Sequence, residues 1–150
     1  MSHTFSNLLF HVIFGAKNRA PEIIPEIKPR LLAYLGGIVR EIGGEALIIG
    51  GTVNHVHLLV RLSATLSVAD AMRIIKTNSS RWVHETWPMR KTFAWQSGYA
   101  SFSVSLSNRD AVTEYIARQE EHHKRLTFTQ ELIAFLTKHG IPYDERYICD

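Results

Sequence analysis

Apolar positions recur along this chain with two different periods, and the changes of period divide it into strands and helices. Residues 5–14 (FSNLLFHVIF) form a dense aromatic and aliphatic run closed by Gly15, which predicts a buried first strand. A basic loop, residues 16–19, follows. Pro21, Pro25 and Pro29 lead into a helix predicted over residues 29–42. There Leu31, Leu32, Leu35, Ile38, Val39 and Ile42 keep helical spacing, and Gly43-Gly44 ends the run as a left-handed cap. Residues 45–50 (EALIIG) predict a short strand, and Gly51-Thr52 the turn into another over residues 53–62, the two making an antiparallel hairpin.

Ser67, three residues before Asp70, predicts the cap of a helix reaching residue 85 and stopped by Trp87-Pro88. Val68, Ala71, Met72, Ile75 and Trp82 share its apolar face. Arg73, Lys76, Asn78, Ser79 and Arg81 lie on the other, where solvation is the plainer reading and a row of phosphate contacts the sharper one. Residues 93–96, 97–98 and 99–105 read as strand, turn and strand. Ser107-Asn108 predicts a cap for a helix over residues 109–124, and Thr127 with Gln130 a capping box for a last helix ending at Gly140. Residues 141–150 are then a docked or loose extension.

The order β-α-β-β-α-β(β)-α-α predicts an α+β class protein. Its architecture is a ferredoxin-like (split βαβ) antiparallel sheet with helices on one face, plus C-terminal helices. With no repeats or low-complexity segments, residues 1–150 are expected to form one domain.

Composition changes this picture little. At 45% hydrophobic and 21% charged residues the chain is ordinary for a soluble globular protein. No apolar run approaches the roughly 20 residues that span a bilayer. Residues 1–6 lack a secretory pattern, and the lone Cys149 excludes an internal disulfide and a cysteine metal cage. A reducing cytoplasm is the expected location. The net charge of +3 is compatible with nucleic acid and insufficient to prove it.

Histidine is more telling. The chain has eight, and four of them fall in two tight pairs, His55 with His57 and His122 with His123. On a strand the period of two puts His55 and His57 on one face, where two imidazoles can grip one metal ion if a third ligand arrives from elsewhere. A structural histidine pair is the plainer alternative. Tyr115 and Gln119, four apart on the predicted third helix, share a face that His122 and His123 extend, while Val112, Ile116 and Ala117 point to the core. Trp95 could stack on unpaired bases, although core packing is the commoner use of tryptophan.

Together these stretches are similar to a known family. The opening LLFHVIFGAKNR, the strand NHVHLLV, the segment WQSGYASFSVS and the helix YIARQEEHH resemble the single-tyrosine HUH transposases of bacterial insertion sequences. That family includes the group associated with repetitive extragenic palindromes. The resemblance implies cleavage and rejoining of single-stranded DNA at hairpin-marked element ends through a 5′-phosphotyrosine intermediate. It implies Tyr115 as the nucleophile and His55, His57 and Gln119 as ligands of one divalent ion, Mg²⁺ or Mn²⁺, with no nucleotide cofactor.

Mixed nitrogen and oxygen donors suit Mn²⁺ better than Mg²⁺. The absence of a phosphate-binding Gly-x-x-x-x-Gly-Lys loop agrees with energy conserved in the phosphotyrosine. The resemblance further implies a homodimer whose active sites can be shared between subunits in a bacterial cytoplasm; the sequence offers Gly98 and residues 124–127 as pivots and does not itself show exchange. Lys17, Arg19, Arg73, Lys76, Arg81 and Trp95 are the expected DNA contacts, and His122 and His123 auxiliary groups. The rival readings are a non-catalytic single-strand-binding module and a metal-dependent phosphodiesterase that uses water with His55, His57 and His122 or His123.

Overall fold

Alternation along the central strands sorts their side chains onto two faces, and both faces are buried. In β1 (Leu9–Gly15), Val12 and Phe14 join one core cluster, whereas Leu9 and Ile13 join clusters on the other face. In β3 (His55–Arg61), Val56, Leu58 and Val60 lie with Val12 and Phe14, leaving His55, His57 and Leu59 on the face opposite. The two strands pair antiparallel, with Ile13 facing His57 and Gly15 facing His55. With β2 (Glu45–Gly51) and β4 (Ala100–Ser103) at the edges, the sheet runs β2-β3-β1-β4 and every pair is antiparallel. That order, with one helix between β1 and β2 and another between β3 and β4, is the ferredoxin-like arrangement read from the sequence. The computed structural model describes residues 3–148, so Cys149 lies outside the described residues.

Helices α1 (Lys28–Glu41) and α2 (Val68–Thr86) cover the face of Val56 and Phe14. Proline in the first turn of α1 and Gly43 at φ +82° bound it as expected. Ser67 accepts the Asp70 amide hydrogen at the start of α2. Tyr34 of α1 stacks on Trp82 of α2 with ring centroids 4.3 Å apart.

The second face is covered by α3 (Arg109–Ala117), α4 (Gln119–His122) and α5 (Phe128–Lys138). Ile116 and Val112 of α3 pack on Leu9, Leu59 and Ile48, while Phe128, Leu132 and Phe135 of α5 pack on Ile13 and Phe102. Helix α3 comes so close to β2 that a Cβ on Gly50 would lie 2.7 Å from the Ile116 carbonyl oxygen. Only glycine leaves room for that approach.

Three local expectations are corrected. Residues 93–96 form no strand beyond a single bridge between Ala16 and Trp95. The Gln96 side chain accepts the Gly15 amide hydrogen at 2.6 Å, and Lys76 Nζ takes the carbonyls of Ser97 and Gly98, each at 2.9 Å, so the ladder stops short. The helix expected over residues 109–124 breaks at Arg118, whose φ of −105° and ψ of 23° leave the helical region. Its start is also different: a single 3-10 turn at Leu106–Asn108 precedes α3, and Asn108 makes no side-chain cap bond. The last helix is as expected, with the Thr127–Gln130 capping box formed and Gly140 at φ +64° beyond its end.

Candidate active site

His55 and His57 project from β3 into the layer beneath α3 and α5, fully enclosed. Each ring is held by its Nδ1 side. His55 Nδ1 lies 2.8 Å from Asn54 Oδ1 and 3.0 Å from Thr52 Oγ1, and His57 Nδ1 lies 2.7 Å from His11 Nε2. Phe128 stacks on His55 at 4.2 Å and fixes its plane. Both Nε2 atoms therefore face the same space, with orientation set from behind in the manner of metal-ligating histidines.

The break at Arg118 is what fills that space. Tyr115 lies in the last turn of α3, Gln119 begins α4, and the turn between them aims both side chains at the histidines. Gln119 Oε1 reaches to 3.1 Å from His55 Nε2. His122 stacks on the Tyr115 ring at 4.4 Å, and His123 approaches the His55 ring at the same centroid distance. The four residues expected from the sequence as nucleophile and ligands thus come together within a single chain.

At the centre stands a residue the sequence reading did not single out. Glu131 of α5 is buried, and its Oε1 lies 2.9 Å from His57 Nε2, 3.1 Å from His123 Nε2 and 3.3 Å from His55 Nε2. Its Oε2 accepts a hydrogen bond from the Tyr115 hydroxyl and one of 3.2 Å from the Gln119 amide. The signal was present in the sequence: Glu131 falls on the apolar stripe of Phe128, Leu132 and Phe135, where a carboxylate needs a reason to be. His11 was legible in the same way, as a histidine on the buried alternation of Leu9 and Ile13.

The electrostatics follow from enclosure. Burial alone would raise the Glu131 carboxyl, but the hydrogen bonds from His123, His55 and His57 outweigh it and hold the group ionised far below the usual carboxylate range. Burial depresses His57 to about 4 against the pull of Glu131, and burial together with His57 depresses His11 to about 3. Both rings are therefore neutral at neutral pH. Neutral His11 can donate to or accept from His57, whichever tautomer the site requires. Burial, then the Glu131 hydrogen bond and charge, pushes the Tyr115 phenol well above its ordinary value.

Three imidazoles, a carboxylate and an amide oxygen fit a divalent ion in type. The donor atoms of His55, His57, His123 and Glu131 all lie within 4.8 Å of one another. Beside them a cleft of about 360 Å³ opens between α3 and α5, with Tyr115 and His11 in its wall and Asn108 and Lys138 among its lining residues.

The residues expected to touch DNA do not gather at one place. Lys17 and Arg19 are exposed on a 3-10 turn after β1, and Arg19 donates to Thr129 of α5 at 3.0 Å, next to the site. Arg73 and Arg81 are exposed on α2, across the sheet from the histidines. The Lys76 ammonium is engaged by two backbone carbonyls. Trp95 is corrected outright: it is 8% exposed, its ring packs against Phe14 and Phe93, and its N–H donates to Ser79 Oγ at 2.9 Å. Its faces offer no base a platform.

A ferredoxin-like sheet with histidines, a tyrosine and a carboxylate gathered on one buried face defines a class: α+β proteins built around a polar centre suited to a divalent ion and a phenol. Within that class the chain belongs to the IS200-like transposase family, whose profile matches residues 4–119. The ISDra2 transposase TnpA of Deinococcus radiodurans is 25% identical over 119 residues, 76% of this chain and 85% of that protein. The crystal structure of a candidate transposase from Deinococcus radiodurans R1 superposes with a TM-score of 0.64 at 22% identity, covering 79% of this chain and 95% of the other. A REP-associated tyrosine transposase bound to a REP hairpin gives a TM-score of 0.61 at 14% identity, over 82% and 72% of the two chains. These two structural likenesses speak to the fold. Among the described residues no helix is long and apolar enough to cross a membrane.

Proposed function

We propose that this chain is a tyrosine transposase that cleaves and rejoins single-stranded DNA at hairpin-marked element ends. The observation that carries the reading is the convergence of the Tyr115 hydroxyl, the Gln119 amide oxygen and the Nε2 atoms of His55 and His57 on one enclosed space. Family membership supports it, as does a structural relative that is bound to a REP hairpin.

In this reading His55, His57 and Gln119 hold one Mg²⁺ or Mn²⁺, which when bound offsets negative charge developing on the phosphate oxygens. Tyr115 Oη forms the new bond to phosphorus while the bond from phosphorus to the 3′-oxygen breaks. The phenol proton passes to Glu131 Oε2, its hydrogen-bond acceptor, and the departing 3′-oxygen takes a proton from water. The products are a 5′-phosphotyrosine and a free 3′-OH, and the reverse step rejoins an end because a phenolate is a good leaving group. His11 and Asn54 keep the ligand rings oriented. A bacterial cytoplasm and a homodimeric assembly belong to the same proposal.

A second reading has its own support. His123 joins His55 and His57 at Glu131, and three histidines with a carboxylate also suit a phosphodiesterase that uses water. One experiment separates the two. A labelled single-stranded hairpin oligonucleotide incubated with Mn²⁺ and resolved on a denaturing gel should yield a covalent protein–DNA band. That band should vanish in Tyr115→Phe and with chelator. Cleavage without an adduct, undiminished in Tyr115→Phe, would establish the hydrolase in its place.

A further inference from the structure

Three imidazole nitrogens meet one carboxylate oxygen at Glu131. Their separations from Oε1, 2.9, 3.1 and 3.3 Å, are more than a hydrogen-bond arrangement requires, since one oxygen with two lone pairs faces three ring nitrogens. They are close to what a tetrahedral ion imposes. Metal–ligand bonds of about 2.0–2.1 Å set the edge between neighbouring ligands at about 3.3 Å. The edges that meet at Oε1 would lengthen by a few tenths of an ångström at most to receive such an ion, and all four donor atoms already lie within 4.8 Å of one another.

The surroundings point the same way. Ligation through Nε2 requires a hydrogen on Nδ1, and each strand histidine has an acceptor waiting there: Asn54 Oδ1 for His55 and neutral His11 Nε2 for His57. Three nitrogens and one oxygen, all from protein, are donors that a zinc-class ion takes readily and Mg²⁺ does not. His123 and Glu131 both lie beyond the family match, which ends at residue 119. They come from the C-terminal segment alone.

We propose that His55, His57, His123 and Glu131 form a closed four-donor site for a zinc-class divalent ion, alternative to the open set of His55, His57 and Gln119. The inference rests on the transposase reading only in that the two sets share the strand histidines. An ion held by four protein donors has no position left for a phosphate oxygen. It also ties α5 to β3. The two sets are thus mutually exclusive states of one centre, the closed one fastening the C-terminal helix over Tyr115.

Cobalt tests this directly, because four-coordinate Co²⁺ absorbs intensely in the visible and six-coordinate Co²⁺ only weakly. Metal-free full-length protein titrated with Co²⁺ should give the intense spectrum at one ion per chain, bleached by added Zn²⁺. By calorimetry, His123→Ala and Glu131→Gln should each weaken Zn²⁺ binding by about tenfold or more. Gln119→Ala should leave the intense spectrum in place. His123 is the least buried of the four donors at 12% side-chain exposure, so its removal is the safer variant for folding, which circular dichroism checks. A weak six-coordinate spectrum, or Zn²⁺ affinity unchanged in both variants, overturns the proposal. The hairpin-adduct assay with Mn²⁺ fails or succeeds independently of the spectrum, so loss of one reading leaves the other standing.

Discussion

Tyr115 donates its hydroxyl hydrogen to Glu131, a residue sixteen positions further along the chain and on a different helix. The bond closes the layer of C-terminal helices over the sheet and puts a negative charge against the phenol. It aims the hydroxyl hydrogen at Glu131 Oε2, the acceptor proposed for it. Glu131→Gln keeps the shape and removes the charge, so the phenol should ionise at lower pH, because a negative neighbour no longer opposes the phenolate. Ultraviolet titration of the variant against wild type measures that shift. Single-turnover adduct formation should fall by about 100-fold with the proton acceptor gone. An unchanged rate would remove Glu131 from the reaction.

His11 sets the orientation of His57 from behind, its Nε2 lying 2.7 Å from His57 Nδ1. His11→Leu fills comparable space and gives up that hydrogen bond. Mn²⁺ affinity measured by calorimetry should drop by about 10- to 100-fold, the usual cost of removing an outer-shell partner. Stability should fall by about 1–3 kcal/mol, because the buried His57 Nδ1 is left without its partner, and thermal melts measure that loss apart from the metal affinity.

Gly50 decides how closely the tyrosine helix lies on the sheet. In Gly50→Ala the added methyl would press on the Ile116 backbone, which cannot swing aside as a side-chain tip could. We expect a loss of about 1–3 kcal/mol in stability from the forced shift. Adduct formation at temperatures where the variant is folded should fall further, because Tyr115 sits one residue from the contact. Thermal melts and the gel assay separate the two effects.

Position relative to the sheet ranks the basic residues. Lys17→Ala and Arg19→Ala should each weaken single-stranded DNA binding and lower the salt slope by about 0.7 per lost phosphate contact. Arg81→Ala, across the sheet from the site, should leave affinity and slope unchanged. Fluorescence anisotropy across a salt series tests both. Equal losses at Arg81 and Arg19 would place the DNA path over α2.

Trp95 gives a separate check. Trp95→Phe should cost about 0.5–1.5 kcal/mol through the lost hydrogen bond to Ser79, plus the packing of the smaller ring. Folded variant should bind single strands as wild type does. A specific loss of affinity without loss of stability would restore the base-stacking expectation.

Much of this molecule was legible in its sequence because the information was local. Periods of two and 3.6 with Gly, Pro and Ser/Thr punctuation located the strands of the split βαβ unit, both its helices and the capping box at Thr127. The pair His55 and His57 was visible because a strand of known period fixes which side chains share a face. The ordered set with Tyr115 and Gln119 pointed to a family, and the family holds. The sequence also carried a trace of Glu131 and His11, as polar residues on buried stripes, but a stripe does not say what lies across from it.

The tertiary structure decided the rest. A continuous helix was the natural reading of residues 109–124, since nothing in its composition marks Arg118 as a stop. The break there follows from docking α3 on β2 and turning Gln119 and His123 towards the histidines, a packing choice made by residues distant in the chain. Trp95 went to the core and Lys76 to backbone carbonyls for the same reason: burial is set by what the fold brings alongside. The meeting of Glu131 with His57, 74 positions apart, has no local signature at all. Local pattern determined which elements form and which faces they present. Only the packing of α5 against the sheet decided that a carboxylate from the end of the chain would complete the centre opened by two histidines in its middle.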